Sequence, residues 1–330
     1  MAGNSAGVLG RMALTSETMA VVFERPGEMN IRRVGLLTPA SGDCVVDIEW
    51  SGISTGTERL LWSGRMPAFP GLGYPLVPGY ESVGRISTAA AGCSLDLEPG
   101  QRVFVPGSRG FCDVRGLFGG TAERLVVAAD RLLPLAESVG DEGVLLALAA
   151  TALHALGACG ETPPELIIGH GVLGRLLVRT TIALGHPAPV VWEADPGRSA
   201  GASGYTVCAP GDDPRRDYRC ICDVSGDAGL LDSLIERLRP GGRIVLGGFY
   251  DQPLSFRFAN AFLREVELKV AAEWQPADLQ RVAQLIGEGA LSLSGLISHH
   301  CDARQSTTAY HTAFTEPECL KMVLDWRPAQ

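Results

Sequence analysis

Pro164–Arg175 reads PELIIGHGVLGR, a short apolar run followed by glycines at Gly169, Gly171 and Gly174 in the spacing GxGxxG. A dinucleotide site needs this order: the strand must end in a tight turn, the backbone must approach a pyrophosphate closely, and a helix must begin with its amides aimed at the anion. The residues expected on such a cofactor are Gly169, His170, Gly171, Val172, Leu173 and Gly174.

The flanking sequence strengthens this reading. The residues after the motif, LGRLLVRTTIALG, place Leu173, Leu176, Leu177, Thr180 and Leu184 at helical spacing. A second apolar run, Pro189–Trp192, ends in Glu193, which follows Gly174 at close to the roughly 20-residue offset where an acidic group receives the adenine ribose hydroxyls. A carboxylate there accepts from a free 2′-hydroxyl and repels a 2′-phosphate, so NAD is expected rather than NADP. Arg198 has three readings: over the adenine edge, on the ribose, or as a solvated surface charge. Ser225, just past the apolar run Cys220–Val224, is also expected at the cofactor.

With 330 residues, 46% hydrophobic and 20% charged, the chain can bury one large core or two separate ones. A net charge of -9 without a local Lys/Arg cluster excludes a nucleic-acid surface. The nine cysteines show no CxxC and one CxC, at Cys220 and Cys222, which suits free thiols packed in cores and does not support a structural zinc lobe. Residues 1–18 read as a flexible extension and not a signal peptide, and Val144–Ala158 is too short to span a bilayer comfortably. A cytoplasmic protein without an integral membrane segment is expected.

Short β-rich runs at Ala20–Phe23, Cys44–Trp50, Ser82–Ile86 and Arg102–Val105 alternate with Gly/Pro turns, as in a barrel-like unit. Asp141–Gly157 reads as a helix with Asp141 as its cap. Strands are then expected at Leu166–Ile168, Val190–Trp192, Tyr205–Val207, Cys220–Val224, Gly242–Gly247 and Leu268–Ala271. Helices are expected at Val172–Gly185, near Gly197–Ser203, at Gly229–Leu238 and at Phe258–Leu263, an alternation that implies an α/β, doubly wound parallel sheet. A helix at Pro276–Gly289, a strand at Leu296–Ser298 and a helix through Ser306–Phe314 return to the first unit. The expected division is 19–147 with 273–330 for the β-rich catalytic unit, and 148–272 for the dinucleotide-binding unit.

This organisation resembles the medium-chain dehydrogenase/reductase superfamily, with its GroES-like catalytic domain and Rossmann domain. GISTGTE at Gly52–Glu58, PGYESVG at Pro78–Gly84, GGTAE at Gly119–Glu123, the GxGxxG and LRPGGRIVLGG at Leu238–Gly248 carry the resemblance. Within it, Ser51–Gly84 is similar to the bacteriochlorophyllide a dehydrogenases of bacteriochlorophyll synthesis. That resemblance alone implies oxidation of a 3-(1-hydroxyethyl) group on a magnesium chlorin or bacteriochlorin to 3-acetyl, with hydride passing to NAD. A homodimer and peripheral contact with the photosynthetic membrane are compatible with it, although no basic amphipathic helix supports the latter.

Zinc alcohol dehydrogenases of this superfamily use a cysteine in GxC, a histidine in GHE and a later cysteine or acidic residue. Here the first two positions hold Ser54 and Tyr80, and the later segment Leu148–Thr151 reads LAAT. Neutral hydroxyls are poor zinc donors, so no catalytic metal is expected. An alcohol still has to lose its proton as hydride leaves, so organic groups must serve. The candidates are Tyr80, Ser54, Thr55, Thr57, Glu81 and His154. Tyr80, with a phenol made more acidic by the nicotinamide, either contacts the substrate hydroxyl or fills the volume a metal would occupy. Glu81 either holds a relay or pairs with an arginine. The hydroxyls of Ser54, Thr55 and Thr57 either relay a proton or satisfy turn backbone. His154, on an apolar helix, is a packed core residue, a proton acceptor or an axial contact to magnesium. His299 and His300, adjacent in an extended segment, point to opposite sides and suit the surface.

Trp62, Arg65, Met66, Phe69 and Tyr74, set among glycines and prolines, either receive a flat apolar macrocycle or pack as a lid on their own barrel, with Arg65 meeting a propionate or solvent. Two other functions fit the fold: a zinc-less quinone or enone oxidoreductase, and a noncatalytic dinucleotide-binding scaffold.

Overall fold

The structure, a computed structural model, describes residues 14–68, 70–89 and 97–329, so Phe69 lies outside the described residues. The first part of the chain carries β1 (Leu14–Arg25), β2 (Glu28–Leu37), β3 (Asp43–Gly52), α1 (Thr57–Ser63), β4 (Leu76–Val77), β5 (Ser82–Thr88), β6 (Arg102–Val105), β7 (Arg115–Gly116), β8 (Arg124–Ala128), β9 (Leu133–Pro134) and α2 (Leu146–Ala158). Alternating apolar residues of β3, among them Cys44, Val46 and Ile48, are fully buried, as a half-covered antiparallel strand requires. These strands form two sheets, one ordered β2-β1-β4-β7 and one built on β3, β5, β6 and β9 with β8 beside β3.

The middle of the chain alternates: β10 (Leu166–Ile168), α3 (Val172–Ala183), β11 (Val190–Trp192), β12 (Val207–Cys208), β13 (Tyr218–Asp223), α4 (Leu231–Arg237), β14 (Leu238–Leu246), α5 (Phe258–Arg264) and β15 (Glu267–Val270). All its pairings are parallel, in the order β12-β11-β10-β13-β14-β15, so the winding reverses beside β10. Ile168 is in register with Trp192 and Asp223, and Asp223 with Leu246. The carboxyl ends therefore share one edge, the place where doubly wound sheets bind ligands.

The chain then returns through α6 (Pro276–Gly287), β16 (His299–Asp302), α7 (Ser306–Thr315) and β17 (Met322–Asp325), with β17 antiparallel to β3. α2 joins the two regions: Leu146, Ala149, Ala150 and Ala155 are buried in one apolar core with Leu176 and Val178 of α3 and Val282 of α6. The stretch Glu137–Ala158 is long and apolar enough to cross a bilayer, yet more than half of it is buried in this core.

Several local expectations change. Asp141 does not cap α2: Gly140 at φ +54 interrupts a 3-10 stretch, α2 begins at Leu146, and the Asp141 carboxylate bonds His300 Nε2 at 2.6 Å. The helix near Gly197–Ser203 shrinks to one 3-10 turn, Pro196–Arg198, because Gly201 and Gly204 take left-handed conformations. The strand expected at Leu296–Ser298 forms instead at His299–Asp302, and Leu14–Thr18, read as flexible, belongs to β1.

The glycines of the motif divide the labour that the sequence suggests. Gly169 has φ +100, and a Cβ on Gly174 would lie 1.9 Å from the Gly169 carbonyl oxygen, so α3 packs on the β10 turn only without a side chain there. A Cβ on Gly171 would meet nothing within 4 Å, which leaves the space in front of the α3 amides open. We expect Gly174→Ala to destabilise the fold by about 2–3 kcal/mol, and Gly171→Ala by under about 1 kcal/mol, in urea unfolding.

Candidate active site

β3 ends at Gly52, and the following turn carries Ile53, Ser54, Thr55 and Thr57 into α1. Gly52 has to be glycine here, since a Cβ would stand 2.3 Å from Glu81 Oε2 and 2.9 Å from Lys321 Cε. From the facing loop, Gly79 at φ +91 turns Tyr80 inward, where its ring sits 5.2 Å from Phe118 edge-on and 5.9 Å from Trp274. The Tyr80 hydroxyl then lies 2.6 Å from Ser54 Oγ and 3.4 Å from Thr57 Oγ1. Thr55 is half-buried in the same turn.

Two carboxylates hold this hydroxyl cluster. Glu58, fully buried on α1, accepts from the Ser54 amide at 2.9 Å and from the Tyr310 hydroxyl at 2.5 Å, while its own amide donates to the Ser54 carbonyl. Glu81 is also fully buried and bonds the Lys321 ammonium, which donates in addition to the Ile53 carbonyl at 3.0 Å. The arginine expected beside Glu81 is thus a lysine. A compact ammonium with three donors bridges a carboxylate and a carbonyl in this confined space without a guanidinium's planar fork.

Burial pushes the Glu58 carboxyl up to about 7. It also raises Glu81, with Lys321 opposing. The Tyr80 phenol is driven upward by burial first and by the neighbouring Glu81 charge second. Within the protein's own surroundings Tyr80 is a neutral hydrogen-bonding group, able to pass a proton while holding one, and the acidifying pull expected of a nicotinamide ring would act against this burial.

His154 stays outside the cluster. Its Nδ1 pairs with Asp278 Oδ2 at 2.9 Å, and Asp278 also accepts from the Gln275 amide to cap α6, so the pair fastens α2 to α6. Trp62 packs 5.9 Å from the Phe314 ring, Met66 is buried, and the Tyr74 hydroxyl donates to the Leu61 carbonyl, as expected of a lid seated on its own barrel. Arg65 reaches across to Asp251, Nη1 to Oδ2 at 3.3 Å.

At the parallel-sheet edge, Glu193 accepts from the amides of His170 and Asp195, both at 2.9 Å. It therefore stands beside the glycine turn at the end of β11. The His170 ring points away from the open space: Nδ1 donates to the Arg198 carbonyl at 2.6 Å, and Nε2 accepts from Tyr205 at 2.7 Å. Arg198 extends to the Pro317 carbonyl, 3.4 Å from Nε. Ser225 donates its amide and hydroxyl to Asp223 Oδ1, closing the turn after β13. The open space at Gly171, the α3 amides at Val172 and Leu173, and the Glu193 carboxylate fit a dinucleotide. The positions of Ser54 and Tyr80 do not fit zinc: their oxygens bond each other, and among the described residues no three His, Cys, Asp or Glu side chains converge to hold a metal ion.

Sequence reasoning passed over Glu58, Tyr310 and Lys321. Lys321 carried a signal, being one of only two lysines in the chain and set between Leu320 and Met322.

Residues 40–137 match the alcohol dehydrogenase GroES-like domain. The chain is 54% identical over 315 residues to the 2-desacetyl-2-hydroxyethyl bacteriochlorophyllide A dehydrogenase of Rhodobacter capsulatus, covering 95% of this chain and 100% of that one. To the protein of the same name from Cereibacter sphaeroides it is 52% identical, covering 94% and 98%. Among solved structures, Escherichia coli L-idonate 5-dehydrogenase superposes with a TM-score of 0.81 at 18% identity, covering 94% of this chain and 98% of that one. An E. coli alcohol dehydrogenase complexed with NADH gives 0.80 at 21% identity, covering 94% and 100%.

The raised Glu58 pKa has a consequence for stability. Between its ordinary value of 4.5 and about 7, the unfolded chain releases this proton while the folded chain retains it. Stability therefore falls as pH rises through that window, by about 3 kcal/mol for this group. Urea unfolding of the wild type and Glu58→Gln between pH 5 and 8 should show the difference, with the variant's curve flatter.

Proposed function

The chain belongs to the bacteriochlorophyllide dehydrogenases of the medium-chain dehydrogenase/reductase superfamily, oxidoreductases acting on CH–OH groups, and from that membership we propose that it oxidises the 3-(1-hydroxyethyl) group of a bacteriochlorophyllide to 3-acetyl with NAD and without zinc. The Ser54–Tyr80 hydroxyl pair carries this reading. When bound, NAD supplies the hydride acceptor. Glu193 favours it over NADP because its carboxylate, bonded through one oxygen to the His170 amide of the glycine turn and through the other to the Asp195 amide, would repel a 2′-phosphate.

The protein's own contribution is to orient the alcohol and remove its proton. The substrate hydroxyl donates to one member of the pair, that member donates to the other, and Thr57, half-buried at the start of α1, continues the path outward. No member needs to ionise in isolation, so the high pKa of Tyr80 does not block the transfer. The net proton leaves to solvent as hydride leaves the carbinol carbon. Glu58 keeps Ser54 in place through its backbone amide, and Glu81 with Lys321 fixes the two loops that bring the hydroxyls together. Arg65 and Trp62 border the substrate side of α1, whereas His154 acts in packing.

A second copy completes the assembly in this reading. β15 is an edge strand whose four residues are all exposed, Val270 at 75%, and beside it Phe258, Phe262 and Leu263 are 71%, 66% and 74% exposed. A two-fold axis lets the same edge pair with its own copy and cover these side chains.

Two measurements test the proposal. In an anaerobic assay with NAD and 3-(1-hydroxyethyl) bacteriochlorophyllide, metal-free protein should yield the acetyl product. Tyr80→Phe and Ser54→Ala should each lower kcat by about 10²–10³ with NAD still bound. Activity that tracks stoichiometric zinc, or full turnover by both variants, contradicts the relay. In sedimentation at micromolar concentration the wild type should be dimeric and Val270→Asp monomeric; a monomeric wild type removes the dimer.

A further inference from the structure

Arg65 leaves α1 at a fixed angle. Gly64 ends the helix in a left-handed conformation at φ +69, and the Arg65 amide donates to the Leu60 carbonyl at 3.0 Å. Its guanidinium crosses to Asp251 in the loop that follows β14, on the same sheet edge as the glycine turn of β10. Among the described residues this is the one ion pair joining residues 14–145 to the parallel sheet and its loops, 166–270. It therefore links the part of the chain that carries the hydroxyl cluster to the sheet edge that carries the glycine turn.

The two partners are unequal. The Asp251 side chain is only 18% exposed, and Arg65 is 56% exposed. The guanidinium gives one nitrogen to Asp251 at 3.3 Å and its Nε to Ser63 Oγ at 3.2 Å, which leaves further N–H donors facing solvent. A guanidinium that meets its carboxylate through one nitrogen only has a better arrangement available, the two-pronged bond. Phe249, two residues before Asp251, is 49% exposed in the same loop and offers an apolar face. A planar apolar ring bearing one carboxylate arm matches this combination of cation and exposed aromatic.

The geometry points to Arg65 as a carboxylate receptor masked by Asp251: an entering tetrapyrrole exchanges its free propionate for Asp251 on the guanidinium, and the protein thereby selects the free acid over its ester. This rests on the proposed oxidation of a bacteriochlorophyllide. It adds a way of choosing among such rings by a group remote from the reacting carbon.

The test compares 3-(1-hydroxyethyl) bacteriochlorophyllide as the free acid and as its methyl ester, by steady-state kinetics and by fluorescence titration of the pigment without NAD. The wild type should bind the acid about tenfold more tightly than the ester, a ratio that a two-pronged arginine contact supports. Arg65→Gln should bring the ratio to about 1, Arg65→Lys should restore part of it, and Asp251→Asn should tighten the acid several-fold by removing the competing carboxylate. If the wild type oxidises both forms but Arg65→Gln keeps the acid preference, or the wild type shows none, the receptor is overturned and the oxidation stands. If the wild type binds NAD and oxidises neither form, the proposed function itself fails.

Discussion

Everything at the hydroxyl cluster depends on one buried ion pair. Glu81 and Lys321 are each almost wholly excluded from water, and each is the other's counter-charge. Because Lys321 also holds the Ile53 carbonyl, a single ammonium ties β17 to the turn before Ser54 and to the residue after Tyr80. A buried pair of this kind adds little net stability over an apolar replacement. What it supplies here is position: two loops that meet at one place, with 2.6 Å between the hydroxyls they carry.

The surroundings of that meeting point favour neutral groups. Burial raises Glu58, Glu81 and Tyr80 together, a setting in which protons are shared along hydrogen bonds and isolated ions are costly. A metal site solves alcohol activation with a concentrated positive charge. This cluster has hydroxyl oxygens where such a charge would need thiolate or imidazole donors, and it is held rigid by the acids beneath it.

The parallel sheet was legible from residues because its signals are local. GxGxxG, the amphipathic run of α3 and Glu193 lie within one strand-helix-strand unit, and the structure puts the carboxylate against the glycine turn. Ser54 and Tyr80 were found through the resemblance and then met in space, although they are separated by 26 positions. Glu58 escaped notice inside a quoted motif because its value comes from burial, which a four-residue spacing does not reveal. Lys321 lies 240 positions from Glu81, and no local pattern records a contact of that range. His154 kept three readings on sequence because its partner is equally distant: Asp278, from a later helix, claims the ring and leaves it the packing role.

The position of Lys321 in the chain also orders the events of synthesis. Emerging from the ribosome, β3, α1 and β5 appear early, and the entire parallel sheet follows before β17 arrives. Until then Glu81 has no counter-ion, and the turn that bears Ser54 lacks the ammonium that anchors it. The amino-terminal site is therefore complete only once the residue that leads into the last strand, its keystone, is in place.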